Sequence, residues 1–282
     1  MKMKIGITGA TGQLGRLVVD YAKKSTSPSN IVALVRDPEK AKDLGVEVRA
    51  FDYNKPEALE AQLKGIDRLL LISGSEIGKR VQQHENVIKA AKAAGIKLLA
   101  YTSLLHTDSS PIFLASEHLP TEKILRASGI TYAILRNGWY TENYTQSISQ
   151  NITAGAVFGC AGQGKISAAA RKDYAEAAAV VLTGEGHEFK IYELAGDESF
   201  TLSDLAAEIS KQTGKKIVYN NLSEAELVEV LKNAGLPEQM AGAFASIDTH
   251  IANGALYDNS HQLSQLIGRK TTPLSAVVKE AI

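Results

Sequence analysis

Apolar positions in the first half of the chain follow two alternating patterns. Continuous apolar runs such as residues 31–35 are typical of strands that are buried on both faces of a parallel sheet. Between these runs an apolar residue recurs every three or four positions, as at Leu14, Leu17 and Val18, which predicts amphipathic helices. Strands that alternate with helices at this interval predict right-handed crossovers, and therefore an α/β fold with a doubly wound parallel sheet.

The same patterns give approximate bounds for the elements. Strands are predicted over residues 5–8, 31–35, 46–51, 67–72, 97–103 and 130–135. After a first helix that begins near Leu14, helices are predicted over residues 38–44, 56–63, 79–94, 116–127 and 173–182. Residues 190–195 have the pattern of a late strand, which we expect to rejoin the sheet.

Beyond the sixth predicted strand the composition changes. Residues 137–144 are polar and aromatic, and residues 155–164 are rich in glycine. Further on, Thr201 and Ser223 each begin an N-cap signature, and the second is a complete Ser-x-x-Glu capping box. We therefore expect a second, smaller and mostly helical part of the chain.

Charge and composition exclude several classes of function. The 282 residues include 31 basic and 31 acidic side chains, so the formal net charge is zero, and no basic face for nucleic acid is evident. The single cysteine, Cys160, cannot form an internal disulfide and is typical of a reducing compartment. No apolar run approaches the roughly 18 residues of a membrane span, and no signal-type segment precedes the first strand. A cytoplasmic protein without membrane or nucleic-acid partners is expected.

The stretch with the clearest chemistry follows the first strand directly. Gly9, Gly12 and Gly15 stand three residues apart between that strand and the first helix. Glycines permit a sharp turn and a close approach of the backbone to a pyrophosphate, while the N–H groups and dipole of the first helical turn attract its charge. The spacing differs from the more common Gly-x-Gly-x-x-Gly motif, and an ordinary turn is the alternative. The strand before it and the helix after it favour a dinucleotide site.

This motif gives each part of the chain an expected role. Residues 1–150 are predicted to form a dinucleotide-binding domain, to which residues 172–197 return. Residues 151–282 are predicted to form the smaller, substrate-binding lobe. The ligand of a doubly wound sheet lies across the carboxyl ends of its strands, where residues 73–75 follow the fourth strand.

The end of the second strand distinguishes the two nicotinamide dinucleotides. An acidic residue there binds the ribose hydroxyls, whereas an arginine accommodates the extra phosphate. Arg36 comes first, and its guanidinium can hold a phosphate at two points. Asp37 would repel a phosphate, but beside Pro38 it is expected to cap the next helix. A solvated surface arginine is the alternative, and the sequence favours NADPH.

Several segments together resemble the NmrA-like branch of the atypical short-chain dehydrogenases. They are the glycine turn at residues 8–15, the pair Val35-Arg36, residues 101–106 at the end of strand five, and the block of residues 135–143. The likeness extends along essentially the whole chain, and the last block is much more specific than the glycine motif. Within this branch the chain is most similar to bacterial NADPH-dependent quinone reductases, with the triphenylmethane dye reductases nearer than most.

The resemblance implies a site for NADPH and, beside the nicotinamide, a site for the substrate. The implied cofactor residues are Thr8, Gly9, Ala10, Thr11, Gly12, Gln13, Leu14, Arg36, Ser73, Gly74, Ser75, Asn137, Gly138, Trp139, Tyr140, Thr141 and Glu142. The implied substrate residues are Trp139, Asn143 and Tyr144.

The catalytic acid of ordinary short-chain dehydrogenases has no counterpart in this chain. Ser103 matches their strand-five serine and Lys123 the lysine of their Tyr-x-x-x-Lys motif, but Leu119 stands where the tyrosine would be. Reduction of a ketone to an alkoxide is therefore poorly supported. A quinone is different, because the hydroquinone anion left after hydride transfer is stabilised by its ring and takes a proton from water.

Lys123 and Tyr140 are the candidate catalytic residues, and each has a structural alternative. Lys123 either binds the cofactor ribose or a substrate oxygen, or is a solvated helix residue. Tyr140 and Trp139 either form an aromatic wall of the site or pack a helix start against the sheet. Asn137 and Asn143 are candidate donors to a quinone oxygen. No metal site is expected, because the six histidines show no ligand spacing.

The sequence thus predicts an NADPH-dependent oxidoreductase that transfers a hydride to a small quinone. Two alternatives stay open: a reductase of triphenylmethane-type dyes, and an NmrA-like regulatory protein that senses NAD(P) and binds a protein partner without turnover. The physiological acceptor and the assembly state, a monomer or a homodimer, are not given by the sequence.

Overall fold

A computed structural model describes residues 3–282 of the chain. The strands are β1 (Ile5–Thr8), β2 (Ile31–Val35), β3 (Glu47–Ala50), β4 (Arg68–Leu71), β5 (Leu98–Leu104), β6 (Tyr132–Asn137), β7 (Ala156–Gly159), β8 (Lys190–Leu194) and β9 (Val218–Asn221). The α-helices are α1 (Gln13–Ser25), α2 (Pro56–Gln62), α3 (Arg80–Ala93), α4 (Ala115–Ala127), α5 (Glu142–Thr145), α6 (Ile148–Ala154), α7 (Arg171–Thr183), α8 (Leu202–Thr213), α9 (Glu224–Asn233), α10 (Glu238–Ala252), α11 (Gln262–Ile267) and α12 (Leu274–Ala281). Short 3-10 helices at Pro28–Asn30 and Pro38–Leu44 flank β2.

These elements divide into two compact units. The first comprises Met1–Asp108, Leu114–Asn137 and Arg171–Leu194. The second comprises Ser109–Phe113, Gly138–Ala170 and Ala195–Ile282. Of the helices within residues 3–282, none combines the length and the apolar character needed to cross a membrane.

The first unit is built on a seven-stranded parallel sheet with the order β3-β2-β1-β4-β5-β6-β8. The direction of winding reverses between β1 and β4, which is the switch point where doubly wound sheets bind their ligands. The predicted α/β fold is confirmed. The late strand β8 pairs with β6 and so rejoins the sheet, as expected.

The core of the first unit lies on both faces of its sheet. On one face, Leu34 and Leu99 are fully buried with Leu59 of α2 and Val87 of α3. Burial of each such side chain contributes about 1.5–3 kcal/mol. On the other face α1 contacts α7, whose run of buried alanines lets the two helix backbones approach closely.

The bounds of β6 differ from the predicted ones by two residues. The apolar run suggested a strand over residues 130–135, whereas β6 begins at Tyr132 and ends at Asn137. Arg136 and Asn137 are both buried, and the charge of Arg136 is balanced by carboxylates from other elements. A polar strand end that is satisfied by distant residues cannot be recognised from local hydrophobicity.

The second unit contains a two-stranded parallel sheet of β7 and β9, which the sequence patterns did not predict. Its helices α8 and α9 begin at the N-caps that were predicted. Thr201 forms a capping box with Asp204, and Ser223 forms one with Glu226. In each box the N-cap hydroxyl accepts a backbone N–H and the acidic side chain accepts another, which satisfies two donors at the helix start.

Candidate active site

The turn between β1 and α1 depends on its glycines. Gly9 has a φ of +59°, a conformation that favours glycine, and its carbonyl accepts the N–H of Gly12 at 2.9 Å. A Cβ on Gly15 would lie 2.2 Å from the carbonyl oxygen of Gly9, so only glycine allows α1 to start this close to the turn. Among the described residues no side chain caps α1, and its first turn carries no acidic residue. Its first N–H groups are therefore suited to an anionic ligand.

A cleft of about 690 Å³ lies beside this turn, within the first unit. It is lined by Gly9, Thr11, Gly12, Arg36, Asp37, Lys40, Phe51, Asp52, Tyr53, Asn54, Ile72, Ser73, Gly74, Ser75, Glu76 and Gln83. The cleft thus brings together the glycine turn, the end of β2 and the loop after β4. These are three of the four places where the sequence puts the dinucleotide; the fourth, residues 137–142, lies outside the lining.

The other predicted residues of the turn lie outside this lining. Thr8 and Ala10 are fully buried and Leu14 is nearly so, whereas Gln13 is exposed. The buried side chains of Thr8, Ala10 and Leu14 belong to the core that supports the turn. Any contact of these four residues with a cofactor stays a prediction.

Hydroxyl groups connect the strand ends beneath the cleft. Thr8 Oγ1 accepts the N–H of Ile72 at 2.9 Å and also a hydrogen bond from the Tyr53 hydroxyl, which lies 2.9 Å from the Ile72 carbonyl oxygen. Thr102 Oγ1 accepts the N–H of Ser73 at 2.9 Å in the same way. Burial raises the pKa of Tyr53, so its hydroxyl stays protonated.

The end of β2 carries the predicted phosphate ligand. Arg36 is 70% exposed, and its Nη1 lies 3.5 Å from Oε1 of Glu76. Asp37 accepts the N–H of Glu39 at 3.1 Å and caps the following 3-10 helix, which confirms that expectation. Lys40 adds a second cation to the cleft lining, and sequence reasoning missed it. Its position four residues after Arg36, on the 3-10 helix that directly follows the end of β2, was the available signal.

The loop after β4 is clamped to α3 and α4 by buried groups. The N–H of Gly74 donates to Nε2 of His84 at 3.0 Å, and its carbonyl accepts from Nε of Arg80 at 2.6 Å. Oε1 of Glu117 accepts the N–H groups of Gly78 at 2.8 Å and of Arg80 at 3.2 Å. These contacts fix the cleft wall at Gly74.

The imidazoles behind this wall are neutral. Desolvation lowers the pKa of both His84 and His118 to about 3. Because Nε2 of His84 accepts from Gly74, its proton is on Nδ1, which lies 3.1 Å from Oγ1 of Thr121. The Tyr101 hydroxyl is hydrogen-bonded to Nδ1 of His118 at 2.7 Å. Protonation of His84 would remove the acceptor for the Gly74 N–H.

A buried ion network occupies the ends of β5 and β6. Glu122 is fully buried and accepts from the Ser103 hydroxyl at 2.6 Å. Nε and Nη2 of Arg136 donate to its two oxygens, each at 2.9 Å, while Nη1 lies 2.7 Å from Glu193 and 3.1 Å from Asp108. Desolvation alone would lower the pKa of Arg136, but hydrogen bonds with Glu122 and Glu193 outweigh it and raise that pKa.

Ser103 and Lys123 are the residues that matched a dehydrogenase acid site, and the network includes Ser103 but not Lys123. The Ser103 proton is directed to the carboxylate of Glu122. Lys123 follows Glu122 on α4 but lies on the exposed face of the helix, as its alternative interpretation proposed. The cleft lining contains neither Ser103 nor Lys123. A catalytic role of Lys123 stays a prediction.

The predicted block that begins at Asn137 contains two buried polar atoms without partners. Oδ1 of Asn137 and the hydroxyl of Tyr144 have no hydrogen bond to any described residue. Trp139 and Thr141 are paired through their backbones with Ala169, at 3.2 Å and 2.9 Å. Buried polar atoms that the protein leaves unsatisfied are where ligand hydrogen bonds are expected. The rest of the block, in the second unit, consists of Gly138, which is buried, and Tyr140, Glu142 and Asn143, which are half-buried.

Known proteins resemble this chain over nearly its whole length. The NmrA-like family model matches residues 1–279. Quinone oxidoreductase 2 of Escherichia coli K12 is 53% identical over 277 residues, which are 97% of each chain. The crystal structure of the NADPH-dependent quinone oxidoreductase of E. coli with NADPH matches with a TM-score of 0.95, covering 98% of this chain and 99% of that one. Triphenylmethane reductase of Citrobacter sp. with NADP(H) gives a TM-score of 0.95 at 42% identity, covering 99% and 100%.

Proposed function

Because this chain belongs to the NmrA-like family, we propose that it is an NADPH-dependent oxidoreductase that transfers a hydride to a small quinone. The likeness to the E. coli quinone oxidoreductase, which extends over nearly all of both chains, supports this function. The family and the function predicted from the sequence agree with these findings.

The residues of the cleft fit a phosphorylated dinucleotide. The turn is tight, since a Cβ on Gly12 would lie 3.2 Å from the Gly9 carbonyl oxygen. Without side chains at these positions, the backbone can contact a pyrophosphate. Arg36 and Lys40 supply positive charge for the 2′-phosphate. When bound, NADPH supplies the hydride. The protein holds its phosphates through the turn, the start of α1 and these two cations.

One observation carries the choice of acceptor, namely the hydrogen bond of 2.6 Å from Ser103 to the buried Glu122. A ketone would need a proton donor for its alkoxide, but Leu119 stands where the dehydrogenase tyrosine would be, and the serine that would assist it is engaged with Glu122. A quinone needs no such donor, because its reduced anion is stabilised by the ring and takes a proton from water. The protein therefore needs mainly to orient the acceptor against the nicotinamide for hydride transfer.

The second unit supplies candidate groups for binding the acceptor. We assign the hydroxyl of Tyr144 and the amide of Asn143 as donors to quinone oxygens. Burial raises the pKa of Tyr144, so that its hydroxyl stays protonated and able to donate. Trp139 and Tyr140 are assigned as an aromatic surface for the quinone ring.

The test is NADPH oxidation by the purified protein with a small benzoquinone, followed by absorbance and corrected for the uncatalysed rate. We expect rapid turnover that is faster with NADPH than with NADH, and an Arg36→Ala variant that loses much more affinity for NADPH than for NADH. Tight NADPH binding without turnover on any acceptor would instead support a regulatory protein that senses the dinucleotide.

A cationic triphenylmethane dye is the second acceptor to test, because the Citrobacter reductase shares the fold at 42% identity. Faster turnover on the dye than on the quinone would change the proposed acceptor and leave the cofactor unchanged. We further propose that the protein acts in the cytoplasm on small molecules and not on nucleic acid. The zero net charge and the single cysteine support this environment.

A further inference from the structure

In the cleft, the carboxylate of Glu76 lies beside Arg36, the residue that is expected to bind the 2′-phosphate of the cofactor. Oε1 of Glu76 lies 3.5 Å from Nη1 of Arg36, and both residues line the cleft. The other acidic residue at this end, Asp37, is engaged with the N–H of Glu39. Glu76 is therefore the carboxylate that neutralises Arg36 when no phosphate is present.

Glu76 also has a second cationic partner. Its Oε2 lies 3.1 Å from Nζ of Lys79, so the two oxygens serve two different cations. The hydrogen bond from Lys79 is the main cause that holds the pKa of Glu76 below its usual range, with a smaller contribution from Arg36. The carboxylate is consequently ionised at neutral pH. Glu76 can therefore remain paired with Lys79 when Arg36 leaves Glu76.

The backbone that carries Glu76 is held on both sides. On one side Gly74 is bound by His84 and Arg80, and on the other Glu117 accepts the N–H of Gly78. The negative charge of Glu76 therefore stays near Arg36 whichever dinucleotide binds.

We propose that Glu76 determines cofactor specificity by competing with the 2′-phosphate of NADPH for Arg36. The inference rests on the proposed use of NADPH. When a phosphorylated dinucleotide binds, Arg36 must exchange Glu76 for the phosphate, and Glu76 is left with Lys79. When NADH binds, the pair of Arg36 and Glu76 persists. Glu76 thus weakens NADPH binding, reduces the preference for NADPH over NADH, and favours release of NADP⁺.

The test uses two probes that differ only in the phosphate, namely 2′,5′-ADP and 5′-AMP, titrated calorimetrically at low ionic strength. We expect Glu76→Gln to bind 2′,5′-ADP about three- to fivefold more tightly, since exposed ion pairs contribute up to about 1 kcal/mol. The affinity for 5′-AMP should change by less than about twofold. High salt should shrink the gain for 2′,5′-ADP, because the competing charges are exposed.

Three variants of the same protein make the test specific. Glu85→Gln removes a half-buried glutamate that is paired with the exposed Lys89 at 2.8 Å on α3, and it should leave both affinities unchanged. Lys79→Gln removes the second partner of Glu76 and should weaken 2′,5′-ADP binding. In an Arg36→Gln background the gain from Glu76→Gln should disappear.

Equal tightening of both probes, or an undiminished gain in the Arg36→Gln background, would overturn the competition. An unchanged or weaker affinity of Glu76→Gln for 2′,5′-ADP would do the same. A wild-type protein that binds 5′-AMP as tightly as 2′,5′-ADP would instead contradict the proposed cofactor, and with it this inference. The probes require no turnover, so failure to reduce a quinone leaves their outcome readable.

Discussion

The glycine turn after β1 and the ion network at the ends of β5 and β6 belong to the same unit and are built in opposite ways. The turn consists of backbone, and its shape requires that Gly9 and Gly15 have no side chains. The network consists of side chains, in which Ser103, Glu122 and Arg136 satisfy one another. The turn presents donors to a ligand, whereas the network uses its own polar groups internally. The chain therefore combines an open turn, which we propose as part of the cofactor site, with a serine whose hydroxyl is hydrogen-bonded inside the core.

The strongest test of this contrast is to break the network. Glu122→Gln leaves Arg136 buried without its two-point partner, and loss of one member of a buried pair costs about 3–5 kcal/mol. We expect a decrease of that size in the free energy of unfolding, measured by urea denaturation, while kcat per folded molecule changes little. Glu85→Gln, which breaks a single pair with the exposed Lys89 one turn along α3, is the control and should cost less than about 0.5 kcal/mol. A normal stability with a large loss of kcat would make Glu122 a catalytic group.

A substitution in the glycine turn should have the opposite effect: NADPH affinity falls while the protein stays folded. In Gly15→Ala the new Cβ would lie 2.2 Å from the Gly9 carbonyl oxygen, so the turn must move away from its binding shape. We expect NADPH affinity to fall about 100-fold, equivalent to about 2.7 kcal/mol, in protein whose circular dichroism shows that it is folded. Gly242→Ala is the control, because apart from neighbouring residues and backbone of its own helix no described atom lies within 4 Å of the added Cβ. Unchanged NADPH affinity of Gly15→Ala would mean that the turn does not contact the cofactor.

The two regions also differ in how far they can be predicted from sequence. The turn is local, and the bounds of β2 beside it, Ile31–Val35, match the apolar run. The network is made by residues that are far apart in the chain. Glu122 and Lys123 are adjacent, and the sequence drew attention to the lysine, yet the glutamate is buried and the lysine is exposed. Neighbours on a helix point about 100° apart, and only the strands that pack against α4 decide which one faces inward.

The same limit applies to the second unit and to the cleft wall. β7 pairs with β9 across a long stretch of chain. β7 is short and stands in a glycine-rich segment, and β9 ends in two asparagines, so neither strand is recognised alone. Glu76 follows the predicted segment that ends at Ser75 by one residue, but its pairing with Arg36 depends on the order of the strands. Side-chain pairing between loops is set by the fold and leaves no local pattern.

The neutral histidines behind Gly74 give an effect of intermediate size. The pKa of His118 is about 3 in the folded protein and about 6.5 when unfolded, so only the unfolded chain gains this proton as the pH falls below 6.5. Its contribution to stability is complete above pH 6.5 and is lost on acidification. Between pH 7 and pH 5, wild type should lose about 2 kcal/mol more than His118→Gln. His250→Gln, in the second unit, is the control, and parallel pH profiles for wild type and His118→Gln would show that His118 is protonated in the folded state.

The smallest expected effect concerns the two residues that matched a dehydrogenase acid site. Ser103 donates to Glu122 and Lys123 lies on the exposed face of α4, and we propose that neither protonates the substrate. Positioned acids contribute about 10²- to 10⁴-fold to a rate, whereas loss of a group outside the chemistry should change kcat by less than about threefold. We expect the smaller change for Ser103→Ala and for Lys123→Met when quinone turnover is corrected for the folded fraction. A 100-fold loss in Lys123→Met would show that a side-chain acid takes part, and the contrast between an open cofactor site and a closed acid site would then fail.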